Sequence, residues 1–142
     1  MEVTTTSEKQ TGEIGQRLAK TLKGGDVIAL YGELGAGKTH FAKGIARGLG
    51  IKRRILSPTF IFIRSYTITV NRKPLTFNHV DLYRGQTKED FRSLGLEDVF
   101  SSDSIVVVEW AEKISEILPK KRIDVTISVE NETERRIKIE RH

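Results

Sequence analysis

A glycine-rich segment, GELGAGKT at residues 32–39, directly follows the apolar run VIALY at 27–31. The segment satisfies the pattern G-x-x-x-x-G-K-[ST], in which glycines let successive backbone N–H groups turn inward around a phosphate chain. Lys38 is expected to reach the β- and γ-phosphates, and the hydroxyl of Thr39 to ligate Mg²⁺. A glycine turn that merely capped a helix would not need a lysine before the threonine. The remaining phosphate contacts are expected from the loop residues Gly32, Glu33, Leu34, Gly35, Ala36 and Gly37.

Two acidic residues end predicted strands and are candidates to act at the metal. Asp81 follows LTFNHV at 75–80, and Glu109 follows IVVV at 105–108. The carboxyl ends of parallel strands form the edge at which such sheets bind ligands, so both acids are expected beside the glycine-rich loop. Either acid alone is also typical of a solvated strand boundary. Two of them beside a phosphate loop favour a site that hydrolyses a nucleotide.

The identity of the base is less directly encoded. Trp110 follows Glu109 and is suited either to stack on adenine or to anchor the core or surface. The segment TKED at 87–90 matches the [NT]-K-x-D pattern that selects guanine, but it begins six residues after Asp81 with no strand between them. Residue 84 is also Arg, where a GTPase would have the glycine of D-x-x-G. The segment is better interpreted as a helix start with Thr87 as its N-cap, and ATP is favoured over GTP.

These residues must be positioned by elements that the apolar periodicity predicts. Helices are expected over 12–23, closed by Gly24-Gly25, from 39 to a stop at Gly50, and near 88–100. Strands are expected over 26–31, 59–70, 75–80 and 105–108, with a turn at Asn71 to Pro74. A final hairpin places strands at 123–129 and 137–139 around a turn at 131–134. Together they predict an α/β fold, a P-loop NTPase-like mixed sheet flanked by helices with β-hairpin insertions, in one domain spanning 1–142.

The composition excludes several classes of protein but does not indicate a substrate. The 142 residues include no cysteine, which excludes disulfides and thiolate metal sites, and carry a net charge of +5. The basic clusters are short and lie between elements, which is typical of solvated strand and helix ends. No apolar stretch is long enough to span a membrane and the N-terminus has no signal pattern, so a soluble, cytoplasmic chain is expected.

Four motifs in order carry a resemblance to a known family. They are GELGAGKT at 32–39, SPTF at 57–60, HVDLYR at 79–84 and VVEW at 107–110. In these motifs and their spacing, over nearly its whole length, the chain resembles the TsaE (YjeE) family. These are small bacterial P-loop ATPases needed to make threonylcarbamoyl-adenosine (t6A) in tRNA. The final hairpin matches the family in pattern only.

The resemblance implies Mg-dependent ATP hydrolysis and gives roles to particular residues. Asp81 would act on Mg²⁺ through water, and Glu109 would be a second acid near the metal that matters for hydrolysis. Trp110 would lie by the adenine, and Thr11, before the first predicted helix, would contact the nucleotide. Lys38 and Thr39 would bind phosphate and metal, as the glycine-rich loop already indicates.

The same resemblance gives SPTF a role, and two positions depart from the family pattern. Ser57 and Thr59 would belong to a switch-like loop on the γ-phosphate side, although a simple turn into the hairpin also fits. His40 replaces a second hydroxyl residue after Thr39, on the helix beyond the phosphates. Gly85 replaces the usual apolar residue after DLYR.

The chain has few residues left to complete a catalytic site by itself. No water-excluding lid is evident, and Arg84 is the arginine nearest the predicted metal acids. A weak ATPase is therefore expected when the protein is alone. The resemblance implies that the TsaB–TsaD complex stimulates it and connects it indirectly to tRNA. Two alternatives stay open: a stand-alone small-molecule P-loop kinase, and an RNA-binding module with structural ATP.

Overall fold

The computed structural model describes residues 1–52, 63–83 and 95–142. Within these residues, seven strands form one sheet in the order β1-β7-β6-β2-β5-β4-β3. The strands are β1 (Glu2–Thr5), β2 (Val27–Tyr31), β3 (Ile63–Val70), β4 (Lys73–Asp81), β5 (Ser104–Glu109), β6 (Ile123–Val129) and β7 (Arg135–Arg141). The helices are α1 (Glu8–Ala19), α2 (Lys38–Gly48) and two short 3-10 helices, Leu96–Val99 and Ala111–Ile114. No helix in the described ranges is long and apolar enough to cross a membrane.

The four central strands β6, β2, β5 and β4 run parallel, and the outer strands pair antiparallel. Successive residues of β2 enter opposite cores, because strand side chains alternate between the two faces. Ile28 and Leu30 join the core beneath α1 and α2, whereas Val27 and Ala29 pack with Leu96 and its neighbours on the other face. The predicted mixed α/β sheet flanked by helices is confirmed.

Helices α1 and α2 pack against each other through glycines. A Cβ atom on Gly44 would overlap the carbonyl oxygen of Gly12, and one on Gly15 would overlap that of Phe41. The two backbones therefore approach more closely than larger residues would allow. This contact brings Thr11 to the glycine-rich loop, where its Cγ2 lies 3.5 Å from the position of a Cβ on Gly37.

The predicted helix bounds need correction. The first helix spans Glu8–Ala19 rather than 12–23, because the Ser7 side chain accepts the N–H of Gln10 at 3.1 Å and begins the helix earlier. Helix α2 begins at Lys38, one residue before the predicted start, and Gly50 follows its end at φ +88, as expected for a helix stop. Residues 96–99 form a 3-10 helix rather than part of an α-helix, and residues 88–94 lie outside the described residues.

One strand was missed, and one turn differs from its prediction. The four-residue strand β1 was not predicted, because it is recognisable as a strand only through its pairing with β7. The turn at 71–74 is shorter than predicted: Asn71 and Arg72 have φ of 53 and 65, and β4 resumes at Lys73. Pro74 fits in β4 because pairing with β5 starts only at Thr76. The strand predicted over 59–70 is confirmed for 63–70, and its first residues lie outside the described ranges.

Candidate nucleotide site at the carboxyl ends of the central strands

The glycine-rich loop connects β2 to α2 at the carboxyl edge of the sheet. Gly32 has φ +152, and a Cβ there would lie 2.6 Å from the carbonyl oxygen of Ile127 on β6. Gly37 has φ +111 and is the N-cap of α2, with no side-chain hydrogen bond at the cap. The first backbone N–H groups of α2 are therefore available to an anion at a helix N-terminus.

Lys38 is buried at the start of α2. Its Nζ donates to the carbonyl oxygens of Gly32 and Glu33, the latter at 3.0 Å, and lies 3.8 Å from the centroid of the Trp110 ring. Burial lowers the pKa of Lys38 from its ordinary value, and the negative charge of Glu109 partly opposes that shift. The ammonium group is thus a desolvated cation, which interacts more strongly with a phosphate than a hydrated one does.

Thr39 and Glu109 connect the loop to the acid side of the site. The Thr39 hydroxyl donates to Oε1 of Glu109 at 2.9 Å. Oε2 of Glu109 lies 2.6 Å from Nε2 of His79, a residue of β4 that is fully buried. Helix α2, β5 and β4 thereby meet at one carboxylate. The sequence analysis gave no role to His79, because its partner Glu109 is 30 residues away on another strand. Alternation from Leu75 and Phe77 does place His79 on the buried face of β4.

Asp81 and Glu109 are register partners at the ends of β4 and β5. Oδ1 of Asp81 accepts the N–H of Tyr83 at 3.0 Å. Burial raises the pKa of Asp81 from its ordinary value, and the nearby charge of Glu109 raises it further. Both acids therefore lie at the carboxyl edge of the sheet beside the glycine-rich loop, where they are expected.

The oxygen donors at this edge are chemically suited to Mg²⁺. Two carboxylates and the Thr39 hydroxyl are hard ligands, and Mg²⁺ is usually held by one or two carboxylates together with phosphates and water. The described part of the chain has no group of three or more His, Asp or Glu residues that would enclose an ion by itself. The donor set therefore fits a metal that arrives with a phosphate ligand.

Trp110 lies beside the two acids at the carboxyl edge of the sheet, with a backbone φ of 60. Its ring centroid is 5.3 Å from that of Tyr83, which follows β4. Nζ of Lys113 donates to the carbonyl oxygens of Leu82 at 2.9 Å and Tyr83 at 2.7 Å. These contacts connect the segment after β4 to the 3-10 helix after β5, and they keep Trp110 beside Lys38.

A cleft of about 500 Å³ extends from these residues across the glycine-rich loop. We call its two sides the acid end and the hairpin end. The acid end is lined by Lys38, Thr39, Asp81, Tyr83, Glu109 and Trp110; the loop by Leu34, Gly35, Ala36 and Gly37; the hairpin end by Thr6, Ser7, Glu8, Thr11, Glu132, Thr133 and Arg135, with His40 beside α1. Gly32 and Glu33 contribute through the carbonyl groups that accept from Lys38.

The hairpin end was largely missed by sequence reasoning. The Asn131 side chain accepts the N–H groups of Thr133 and Glu134, and a guanidinium N–H of Arg135 donates to the Gly35 carbonyl at 3.4 Å. Thr11, which was predicted, shares a buried hydrogen bond of 2.8 Å with the hydroxyl of Thr5. The available signal was topological: a strand parallel to β2 must end at the same edge of the sheet.

Ser57, Thr59 and Arg84 lie outside the described residues, as does the TKED segment at 87–90. Their predicted roles stay predictions. The other predicted site residues meet around one cleft.

A strand, glycine-rich loop and helix, with the lysine and threonine of the motif beside acids on neighbouring parallel strands, define the P-loop class of nucleotide-binding folds. Comparison with known proteins is more specific. The model of the family "Threonylcarbamoyl adenosine biosynthesis protein TsaE" matches residues 5–137, so the chain belongs to the TsaE family. The predicted resemblance is therefore confirmed, and membership implies nucleotide binding.

Individual relatives agree with this assignment. The tRNA threonylcarbamoyladenosine biosynthesis protein TsaE of Bacillus subtilis is 41% identical over 133 residues, covering 94% of this chain and 80% of the relative. The protein of that name from Treponema pallidum is 36% identical over 123 residues, covering 87% of each. The crystal structure of Bacillus subtilis YdiB matches with a TM-score of 0.77 at 36% identity, covering 96% of this chain and 82% of that one.

Proposed function

We propose that this protein binds ATP with Mg²⁺ and hydrolyses it slowly, in the cytoplasm, as the ATPase component of t6A modification of tRNA. The observation that carries the proposal is the meeting of the Lys38 ammonium, the Thr39 hydroxyl and the Glu109 carboxylate beside the glycine-rich loop. These groups provide a cation for phosphate, a ligand for a metal and an acid for the attacking water. Family membership supports the connection to tRNA modification.

The two ends of the cleft suggest an orientation for the nucleotide. Lys38 and the acids lie together, so the β- and γ-phosphates and the metal belong at the acid end. The ribose and base then extend toward the hairpin end, where Thr11, Thr133 and Arg135 line the cleft. In this orientation Trp110 lies beside the phosphates and not beside the adenine. This revises the role that the resemblance implies for Trp110. The nucleotide contact of Thr11 is retained.

In this proposal, each residue at the acid end has its own role in binding or hydrolysis. Lys38 would balance the charge of the β- and γ-phosphates, and loop N–H groups would fix them in place. Thr39, Asp81 and Glu109 would hold Mg²⁺, which neutralises charge on the phosphate oxygens when bound. Glu109 would also orient the attacking water and accept its proton, since a carboxylate can act as a general base.

Exposed apolar side chains at the rim of the cleft support the proposal that ATP hydrolysis depends on a partner. Leu34 on the loop is 69% exposed and Tyr83 is 46% exposed, which leaves apolar surface on both sides of the phosphate region. Transition-state stabilisation needs fixed donors in a site from which water is excluded, and this open rim does not exclude it. We propose that the TsaB–TsaD complex covers this face, with Ser57, Thr59 and Arg84 at the contact, and that tRNA is engaged through that complex.

Steady-state ATP turnover, measured with and without purified TsaB–TsaD and tRNA, tests this proposal. The isolated protein is expected to turn over well below about 1 per second, and TsaB–TsaD is expected to raise the rate by about tenfold or more. Fast turnover that partners do not change would contradict the proposal. Phosphate transfer to a soluble acceptor would support the kinase alternative, and salt-sensitive binding of tRNA by this chain alone would support the RNA-binding one.

A further inference from the structure

His79 is a buried polar residue whose one described hydrogen bond reaches the site. Its Nε2 lies 2.6 Å from Oε2 of Glu109, and the two side chains are 0% and 3% exposed. The other ring nitrogen, Nδ1, is buried and has no hydrogen-bond partner among the described residues. Burying an imidazole in this way is unfavourable unless the remaining contact compensates for it. The contact with Glu109 is therefore the feature that explains a histidine at this position.

With this contact, both carboxylate oxygens of Glu109 have a hydrogen-bond partner. Oε1 accepts from the Thr39 hydroxyl at 2.9 Å, and Oε2 faces His79. An ionised carboxylate can only accept, so the Nε2–H of His79 is the donor. Because the two partners lie on different elements, β4 and α2, the plane of the carboxylate is fixed from both sides.

The neighbouring acid makes this support necessary. His79 and Asp81 are two residues apart on β4 and so share one face of the sheet, and Asp81 is the register partner of Glu109. Two carboxylates on adjacent strands repel each other, and a donor on Oε2 of Glu109 offsets that repulsion. Without it, the carboxylate would be free to turn away from Thr39.

We propose that His79 is a positioning residue that holds the Glu109 carboxylate with Oε1 directed at Thr39 and the nucleotide. The proposal rests on the proposed function, since it assigns His79 an effect on turnover through Glu109. His79 itself does not touch the nucleotide in this arrangement. Its loss should therefore lower kcat and leave ATP affinity nearly unchanged.

Two substitutions separate positioning from packing. In His79→Gln the terminal amide nitrogen can reach the place of Nε2, whereas in His79→Asn the shorter side chain ends near the place of Nδ1. We expect His79→Asn to lower kcat by about 10- to 100-fold, the usual cost of losing a residue that orients a metal-site ligand, with KM changed by less than about threefold. His79→Gln should stay within about threefold of wild type in both constants. Equal losses in the two variants, or a loss confined to KM, would overturn the proposal.

A double-mutant cycle tests whether the effect passes through Glu109. In a Glu109→Ala background, His79→Asn should change turnover by less than about twofold, because the group that it positions is gone. A full additional loss in that background would contradict the proposal. All assays use the full chain with TsaB–TsaD.

A second measurement does not depend on turnover. In urea unfolding, His79→Asn should destabilise the wild-type chain more than it destabilises the Glu109→Ala chain, because the two side chains are coupled. Equal destabilisation in both backgrounds would overturn the pairing. If wild type hydrolysed no ATP but the coupling were present, the ATPase proposal would fail while the pairing of His79 with Glu109 would stand.

Discussion

The acid end and the hairpin end of the cleft are built in different ways. At the acid end, buried Glu109 is held by Thr39 of α2 and His79 of β4. Buried Lys38 donates to carbonyl groups of its own loop and contacts the ring of Trp110, which follows β5. At the hairpin end, Glu132 and Thr133 are exposed, and Arg135 bonds mainly to carbonyl groups of its own turn. The charged groups are thus preorganised where the phosphates are proposed to bind. The surface that would contact the nucleoside is instead held mainly by contacts within one turn.

This difference has an energetic consequence. Burial lowers the pKa of Lys38 and raises that of Asp81, so both charged groups cost folding free energy before any ligand binds. Such costs are typical of functional sites, where charged groups are held in position for a ligand at the expense of folding stability. Substitutions should therefore have large effects at the acid end and small ones at the hairpin end.

The largest effect is expected for Glu109→Gln. The amide keeps an oxygen for the Thr39 hydroxyl but removes the charge that would act on the metal and the attacking water. Turnover with TsaB–TsaD should fall by about 100- to 1,000-fold, while ATP affinity changes by only a few-fold. The matched control is Glu13→Gln, an exposed glutamate on α1 that is not among the residues lining the cleft. Full turnover by Glu109→Gln would remove the catalytic role given to Glu109.

Lys38→Ala should have the next largest effect, on binding itself. The substitution removes a buried cation from the position where the β- and γ-phosphates are proposed to lie. Affinity for a non-hydrolysable ATP analogue, measured by calorimetry, should fall by about 100-fold, as expected for loss of a charged hydrogen-bond donor. Lys43→Ala on the same helix, away from the cleft lining that the described residues form, serves as the control. Unchanged affinity in Lys38→Ala would contradict the phosphate assignment.

Arg135→Ala tests the hairpin end and should have a smaller effect. The guanidinium is partly exposed and is available for one or two hydrogen bonds to ribose or base. ATP affinity should decrease roughly fivefold, while affinity for tripolyphosphate should not change. The adjacent Arg136 is a matched control because it pairs with Glu130 at 3.1 Å. An equal loss for ATP and tripolyphosphate would move Arg135 to the phosphate end.

Asp81→Asn should change stability with a defined pH dependence. The pKa of Asp81 is raised above its ordinary value of 3.8, so its ionised form disfavours folding near neutral pH. That cost fades as the pH falls through the raised pKa and is absent below 3.8, where the group is protonated in both states. Without metal or nucleotide, Asp81→Asn should therefore raise Tm by a few degrees near neutral pH and show no gain in acid.

The exposed Asp103 provides the control for that experiment. Asp103→Asn changes the net charge in the same way but removes no buried carboxylate. A gain of the same size in both variants would show that the effect comes from the net charge of the chain and not from the site.

The acid end was largely predictable from the sequence. The loop motif, the apolar run of β2 and the acids that end β4 and β5 are local patterns, and parallel pairing brings them to one edge. The contact of His79 was not predictable, because its partner Glu109 is 30 residues away along the chain.

The hairpin end depends on which strands are neighbours. Nothing local marks Arg135 as part of a cleft; it lies there because β6 pairs with β2 and carries the following turn to the glycine-rich loop. The strand β1 was missed for the same reason, since the four residues Glu2–Thr5 carry one apolar side chain and become a strand through pairing with β7. Sequence patterns thus predicted single elements better than the contacts between distant ones.

The fluorescence of Trp110 tests the central claim, that phosphates bind at the acid end and the nucleoside at the hairpin end. Trp110 is the only tryptophan in the chain, and its ring contacts the ammonium of Lys38. Emission is recorded during titration with tripolyphosphate, which has no base, and with adenosine, which has no phosphate. Tripolyphosphate with Mg²⁺ is predicted to change the emission as ATP does, and adenosine to leave it unchanged. A response to adenosine without one to tripolyphosphate would place the base at Trp110 and contradict the account.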